Sequence, residues 1–326
     1  MLTYLIRRIC YALPILIGVN LLTFLLFFFV YTPEDLAKTA VGEKHASPEQ
    51  IQSWMREHGY DLPRLWNGGE TGTARLTRTI FWEKSVSLFF FDFGKSDAND
   101  ARIGEEIRRR IGPSLSITVP MFLIPLVLNT VVAMFVAFYR GTYIDFSTMI
   151  LCVVLMSVSI LFYILFGQFV LARWLKLLPV SGFDSGWQRI QFVALPVLIG
   201  VAATLGQGIR YYRTLFLEEI NKDYVRTARA KGLSEGVVLF KHTLKNALIP
   251  ILTSVVVMIP FLITGNLLLE QFFSIPGLGS YLILAIQTQD FAVVRAMVYL
   301  GAILYVSGLI LVDVSYTLVD PRIRLS

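Results

Sequence analysis

The sequence predicts an all-α polytopic membrane protein with six transmembrane helices and a small extracytoplasmic domain after the first. Three observations predict it. Of 326 residues, 55% are hydrophobic and only 16% charged, with a mean hydropathy of +0.64, values that a soluble domain rarely reaches. Six segments supply the roughly 20 apolar residues a helix needs to cross a bilayer: Ile9–Tyr31, Ser114–Phe138, Ser147–Leu171, Ile190–Ile209, Leu248–Leu269 and Phe291–Val314. The basic residues between these segments are unevenly shared.

The first segment is expected to stay as a span. Its apolar run is too long for a cleaved signal peptide, and no small-residue cleavage site follows Tyr31. The stretch 32–113 that follows is too long for a simple connection and is expected to form the extracytoplasmic domain. Within it Ser47-Pro48-Glu49-Gln50 reads as a helix start, with Ser47 as N-cap, Pro48 in the first turn and Gln50 reaching back. Gly59 suits its end. The aromatic run Phe89–Phe93 either buries against the spans or lies at the interface. A last helix, Ile103–Arg110, sets Glu105 against Arg109 and Glu106 against Arg110 at i,i+4 spacing, and Pro113 is expected to break it from the second span.

Charge sets the topology. Arg7 and Arg8 precede the first span, and Arg213, Lys222, Arg226, Arg229, Lys231, Lys241 and Lys245 follow the fourth. Arg322 and Arg324 close the chain, whereas Glu270–Asp290 has no Lys or Arg. The positive-inside rule puts both termini and the loop 211–247 in the cytoplasm. Arg173, Lys176 and Arg189 weigh the other way, but the larger clusters decide. This distribution also explains the net charge of +6 without nucleic acid.

The loop 211–247 holds the most informative sequence. Leu217–Lys231 has high helix propensity, and Gly232 suits the left-handed residue that ends a helix. Ser234 suits an N-cap, with Glu235 in the next first turn. A second helix then runs into the fifth span near Pro250. The result is a helix–Gly–helix elbow, charged at its rim by Arg226, Arg229 and Lys231 and slim at Thr227, Ala228 and Ala230. Such a shape serves either as a knob for a partner's groove or as a solvated basic loop.

Other chemistry is not written here. Cys10 and Cys152 fall inside spans, and the three His (45, 58, 242) have no metal-ligand spacing. No G-x-x-x-x-G-K-[ST] occurs, so ATP is not bound through a P-loop. No Ser/His/Asp or His/Glu set marks a membrane enzyme. A stand-alone secondary transporter, the rival class, predicts repeated broken spans with charged midplane residues; the two halves lack that symmetry. Polar residues in or beside spans are candidates for a translocation path: Asn20, Asn129, Ser157, Ser159, Gln168, Gln207, Thr264, Asn266 and Glu270. Arg295 and Asp313 are the charges within the sixth span. Ile275-Pro276-Gly277-Leu278-Gly279 reads as a turn before an apolar helix too short to span, a gate, a docking element or a simple lid.

From Asp223 to Glu235 the chain reads DYVRTARAKGLSE, and His242–Leu244 with Asn246-Ala247-Leu248-Ile249-Pro250 continues the pattern. This resembles the signature (EAA) loop of binding-protein-dependent ABC importer permeases in its peptide and nickel form. Tyr4-Leu5-Ile6-Arg7-Arg8, Asp92-Phe93-Gly94-Lys95-Ser96, Leu178–Gly182, Leu195-Pro196, Phe273–Gly279 and Asp313 through Tyr316 to Asp320–Arg324 are similar to further blocks of that family. The resemblance is to the first permease of a dipeptide/oligopeptide operon. It implies the type I ABC importer permease fold in a bacterial cytoplasmic (inner) membrane. Residues 1–31 would form the N-terminal segment and first span, and 114–326 the permease core. It implies four kinds of partner: a second homologous permease, two ATP-binding subunits, an extracytoplasmic solute-binding protein and the lipid bilayer. The chain itself would be no enzyme and hold no cofactor, ATP and Mg belonging to the partner subunits. Tyr224 and Arg226–Glu235, including Leu233, would form the coupling helix, and Pro276, Gly277 and Gly279 an external gate or docking element. Peptides are the implied solute, with nickel–chelate or a peptide-like antimicrobial as alternatives.

Overall fold

The computed structural model describes residues 2–42, 47–184 and 186–319. The closing motif Asp320–Arg324 and His45 lie outside them. Among the described residues there is no β-strand, only an isolated bridge between Lys95 and Arg102. The chain runs through α1 (Leu2–Leu25, extended by a π-helical turn to Val30), α2 (Pro33–Val41), α3 (Pro48–Glu57), α4 (Ala74–Thr77), α5 (Ile80–Lys84) and α6 (Ile103–Phe138). Then come α7 (Tyr143–Ser157), α8 (Ile160–Gly167, with a π-helical turn to Trp174), α9 (Arg189–Ile220) and α10 (Asp223–Ala230). Next are α11 (Glu235–Val237, leading through a π-helical turn into the next helix), α12 (Leu244–Met258), α13 (Phe261–Thr264) and α14 (Leu267–Phe272). Last are α15 (Leu278–Gln287) and α16 (Phe291–Val319).

Four stretches are long and apolar enough to cross a membrane: Cys10–Val30, Ile103–Phe138, Gly186–Ile220 and Phe291–Val314. Two more qualify only as bent pairs, Tyr143–Ser157 with Ile160–Trp174 at 91° and Glu235–Met258 with Phe261–Phe272 at 42°. The expected third and fifth spans are therefore broken. The third breaks where Val158 turns extended and Ser159 accepts from the N–H of Leu161, starting a new helix. The fifth bends at Ile259–Pro260, between α12 and α13, and is interrupted again where Gly265 takes φ +77° and Asn266 caps α14 by accepting from Leu269 N–H.

Pro113 does not end a helix as expected. It lies inside α6, which runs unbroken from Ile103. A proline ring inside a helix frees an upstream carbonyl, and here that carbonyl belongs to exposed Arg109. Of the expected pairs on this helix, Glu106–Arg110 forms at 2.9 Å. Glu105 instead meets Arg102 at 3.4 Å, and Arg109 leans to Glu106 at 3.9 Å. The start at Ser47 forms as read: Ser47 Oγ accepts from Gln50 N–H and Gln50 Oε1 from Ser47 N–H. Gly59, at φ +68°, follows the end of α3.

The described chain falls into two compact units. One comprises the chain up to Ile111 with Tyr281–Ile310. Its core joins Phe24, Phe28, Tyr60 and Ile80, with Trp54 and Phe291 packed on it. Asn20 is tied into the same unit by donating to Ser85 O at 2.9 Å. Beside that core lies a buried polar knot. Tyr60 Oη donates to both carboxylate oxygens of Asp97 at 2.9 and 3.0 Å, and Ala292 N–H donates to Asp97 at 3.1 Å. Asp290 accepts from Ser96 Oγ and from Asp97 N–H. Arg295 stacks over Phe28 at 4.7 Å and donates to Tyr60 Oη at 3.4 Å. Loss of water pushes the Tyr60 hydroxyl well above its usual range, and the Asp97 charge adds to that. Burial likewise raises the Asp97 carboxyl, against the pull of Arg295. Tyr60→Phe removes the hydroxyl that bridges Asp97 and Arg295, and is expected to cost about 1–3 kcal/mol. Limited proteolysis of the 32–102 stretch checks this: cleavage speeds up if the knot holds the stretch, and an unchanged rate refutes that role.

The second unit centres on Gly112–Ser280. One core gathers Ile117, Ile164, Leu195, Ile199, Leu269 and Phe273. Another joins α6, α9 and α12 through Ala133, Met134, Phe216, Ile220, Ala247 and Ile251. Asp145, near the start of α7, takes a two-pronged bond from Arg213 of α9, Nε to Oδ1 at 2.7 Å and Nη2 to Oδ2 at 2.8 Å. Gly141 N–H completes its shell at 2.9 Å. Arg213, counted above among loop charges, is thus a neutralised helical residue.

Candidate functional site

The elbow differs in extent from its sequence reading. Leu217–Ile220 belongs to the end of α9, and the short helix of the loop is α10 alone. The chain turns at Asn221 and Lys222, which leaves the fourth apolar helix room to continue past the expected Ile209. One face of α10 is anchored: Val225 and Ala228 are buried and pack with Val238, with Tyr224 alongside. The opposite face is exposed at Arg226, Thr227, Arg229 and Ala230.

Gly232 ends the helix in the left-handed conformation, at φ +75°. Its N–H donates to Arg229 O at 2.9 Å, and Leu233 N–H donates to Ala228 O at 3.4 Å. This pair of bonds is the Schellman ending, which needs a residue tolerant of positive φ at that point. A Cβ at 232 would meet no atom within 4 Å, so backbone strain alone selects glycine. Ser234 is extended and starts the next helix as expected, though its side chain makes no capping bond. Arg229 grips Glu235 across the turn, Nε to Oε1 at 2.9 Å and Nη2 to Oε2 at 3.2 Å. Tyr224 donates to Glu219 at the end of α9, and burial with that bond pushes its hydroxyl up to about 12. Lys231, Gly232, Leu233, Ser234 and Glu235 are exposed. Leu239, just beyond, sinks into the core shared by α6, α9 and α12. The elbow is therefore a braced projection on a rigid base. A concavity of about 320 Å³ opens beside it, lined by Phe138, Arg140, Ile220, Arg229 and Glu235.

The polar residues proposed for a path separate into two sets. Asn129 and Gln207 line one cavity of about 250 Å³ between α6, α9 and α12, with Thr204, Tyr211 and Ser254. The others sit elsewhere, bonded to the protein itself. Ser157 Oγ donates to Val153 O and Ser159 caps α8. Gln168 Nε2 donates to Val180 O and Phe272 O. Thr264 Oγ1 donates to Phe261 O, and Asn266 caps α14.

Glu270 is fully buried rather than wetted at an interface. Its Oε1 accepts from Ser114 Oγ at 2.8 Å and Asn266 N–H at 3.2 Å, and its Oε2 from Ser280 N–H at 2.9 Å. Ser114 Oγ in turn accepts from Leu278 N–H at 2.7 Å. Gly277 and Gly279 lie against this carboxylate, with Pro276 just before them. The turn that starts α15 is thus clamped to α6 and α14. Neither this clamp nor the Asp145–Arg213 fork was identified from sequence. A buried acid needs partners, but nothing local names Ser114 as one.

Comparison with known proteins places the chain in a family. The family described as binding-protein-dependent transport system inner membrane component matches residues 129–325, and its N-terminal companion matches residues 1–67. A peptide transport system permease protein of Brucella abortus is 32% identical over 326 residues, covering 98% of each chain. The dipeptide transport system permease protein of Alkalihalophilus pseudofirmus is 30% identical, covering 99% of this chain and all of its own. The glutathione transport system permease protein of Escherichia coli K12 is 30% identical, covering 99% of each. With that coverage and this architecture, the chain belongs to the binding-protein-dependent transport system inner membrane component family, as a permease subunit of an ABC importer.

Proposed function

We propose that this chain and a second, homologous permease form the path by which an importer takes up peptides delivered by a solute-binding protein. Two ATPase subunits drive it from the cytoplasmic side, where both termini and the elbow lie; 32–113 lies outside. Each bent pair counts as one span in this reading, giving six. The basic loop 211–247 supports the orientation, and the names of the peptide, dipeptide and glutathione relatives support the solute class. ATP and Mg belong to the partners.

The observation that carries the reading is the elbow: a short helix braced on one face, exposed on the other and rooted through Leu239 in the core of α6, α9 and α12. Residues Tyr224 and Arg226–Glu235 act as the coupling helix. ATPase closure moves that lever, and the contact free energy must differ between the inward- and outward-open states for it to do work. Gly232→Val forces a β-branched residue to positive φ, at a cost of about 1–2 kcal/mol or more. That lowers the ratio of intact to distorted elbow roughly tenfold. Peptide-stimulated ATPase of the reconstituted complex is expected to fall by up to about that factor, while Gly232→Asn, which tolerates the left-handed region, keeps most of it. Equal activity in Gly232→Val and wild type would sink the coupling role.

A further inference from the structure

We propose that Ser85–Phe91, within the stretch read as lying outside, dips below the membrane surface and sets Phe90 and Phe91 among the lipid acyl chains of the outer leaflet. The inference rests on the importer reading for the orientation of α1 and α16, and adds a lipid-binding surface to it.

Depth is read from two helices. Phe27 and Tyr31, at the end of the first span, meet Phe291, the first residue of α16, with ring centres 5.1 and 5.3 Å apart. The outer ends of these two apolar helices are therefore level. Asn20, seven residues before Phe27, donates to Ser85 O at 2.9 Å. Tyr299, eight residues after Phe291, packs edge-on against Phe89 at 5.4 Å. At about 1.5 Å per residue, these contacts lie roughly 10 and 12 Å below the common end. Phe81 meets Phe24 at 4.9 Å on the way down. Two helices thus give one depth independently. It is a large part of a leaflet's share, about 15 Å, of the hydrocarbon core.

The chemistry of the segment suits that depth. It carries no charge from Ser85 to Phe91, and Glu83, Lys84 and Asp92 flank it. Its turn closes on itself. Ser85 N–H donates to Phe81 O at 2.9 Å, Phe91 N–H to Leu88 O at 3.0 Å and Asp92 N–H to Ser87 O at 3.2 Å. Backbone at membrane depth needs such internal bonds, because lipid offers none. Phe91 closes the turn in the left-handed region, at φ +59°, which a bulky residue rarely adopts. The turn leaves two neighbouring phenyl side chains open, Phe90 at 77% and Phe91 at 65% exposure. Paired exposed aromatics mark a surface that something apolar covers. Over the same depth α1 exposes Leu21, Leu22, Leu25 and Leu26, the outward surface of a membrane span. Lipid that meets those leucines is the apolar phase at that level. Nearer the helix end, Arg64 stacks over Phe29 at 5.0 Å, a cation placed where headgroup phosphates lie.

The test uses the whole importer reconstituted in phospholipid vesicles. Phe90→Cys, Phe91→Cys and Thr71→Cys, the last at an exposed loop position of the same stretch, each carry a nitroxide. Cys10→Ala is added to every variant, and the buried Cys152 stays. Signal from complexes without the introduced cysteine is subtracted. Spin resonance then reads collisions with oxygen, which concentrates in lipid, and with chromium oxalate, which stays in water. The oxygen-to-oxalate ratio is expected to be several-fold higher at 90 and 91 than at 71. Such a ratio does not depend on how much complex assembles. Few collisions with either reagent would mean that a partner chain covers the phenyl pair. A ratio equal to that at 71 would mean that the pair lines a water-filled path. Either result overturns the inference and leaves the importer reading standing. A Thr71→Cys that a membrane-impermeant maleimide reaches only from the cytoplasmic side overturns the orientation itself, and the outer leaflet with it.

Discussion

Glu270→Gln is expected to destabilise the second unit by about 2–4 kcal/mol, although it changes a single oxygen to an amide nitrogen. Both carboxylate oxygens accept: Oε1 from Ser114 Oγ and Asn266 N–H, Oε2 from Ser280 N–H. Whichever oxygen becomes NH₂ then faces a donor. Backbone N–H groups cannot turn away, and the site is fully buried, so no water replaces the bond. Ser114 could turn its hydroxyl and accept from an amide at the Oε1 position as well as from Leu278 N–H, but Asn266 N–H would still face that amide. Gly277→Ala attacks the same clamp by volume. Its Cβ would overlap the Glu270 carboxylate and approach Ser114 Oγ to 2.5 Å. Overpacking of this kind costs about 1–3 kcal/mol. The apparent Tm of the purified complex is the measurement, read beside Gly236→Ala, where an added Cβ meets nothing within 4 Å. A Glu270→Gln melting point equal to that of wild type would show that the carboxylate bears no structural load. A gating role for the turn at Pro276–Gly279 would then be the simpler account.

The difference between what was and was not legible follows from range. Apolar length is a property of one continuous segment, so the six hydrophobic stretches stand out in sequence. Local caps are equally visible: Ser47-Pro48-Glu49-Gln50 forms the box it spells. Thr32-Pro33-Glu34-Asp35 spells the same box and forms it too, with Thr32 Oγ1 and Asp35 exchanging bonds. The breaks in the third and fifth spans are hidden because both halves remain apolar. Their signals are short, Ser157-Val158-Ser159 in one and Pro260 with Gly265-Asn266 in the other. Each supplies a cap to a new helix inside what hydropathy reads as one span. Glu270 and Ser114 are 156 residues apart, and Asp145 and Arg213 are 68 apart. No periodicity links such pairs; only the packing of the helices brings them together. Asp145 also lies just before the expected start of its span at Ser147, where an acid reads as an ordinary loop charge. At the elbow the pattern sufficed, because Gly232, its preceding helix and the residues it turns are all neighbours in sequence.

The Asp145–Arg213 fork supplies the second large effect. Asp145→Ala is expected to cost about 2–4 kcal/mol, because it leaves a guanidinium without its two-pronged partner and Gly141 N–H without its acceptor. The value sits below that of a fully sealed ion pair because the Arg213 side chain keeps 20% exposure, and water at that edge screens its charge. Arg213→Ala is expected to cost less, since the remaining carboxylate still has the Gly141 bond. The double variant Asp145→Ala with Arg213→Ala is expected to recover part of the loss, because it removes both charges rather than stranding one. Apparent Tm values for the four proteins close the cycle. A double variant no more stable than the worse single would mean that the two side chains act through separate contacts. The fork also fixes the start of α7 to α9, and α9 leads directly into the elbow. If the elbow is a lever, its arm must not slip against its neighbours. The Asp145→Ala complex is therefore expected to lose peptide-stimulated ATPase more steeply than basal ATPase. A variant that merely folded poorly would lose both in proportion.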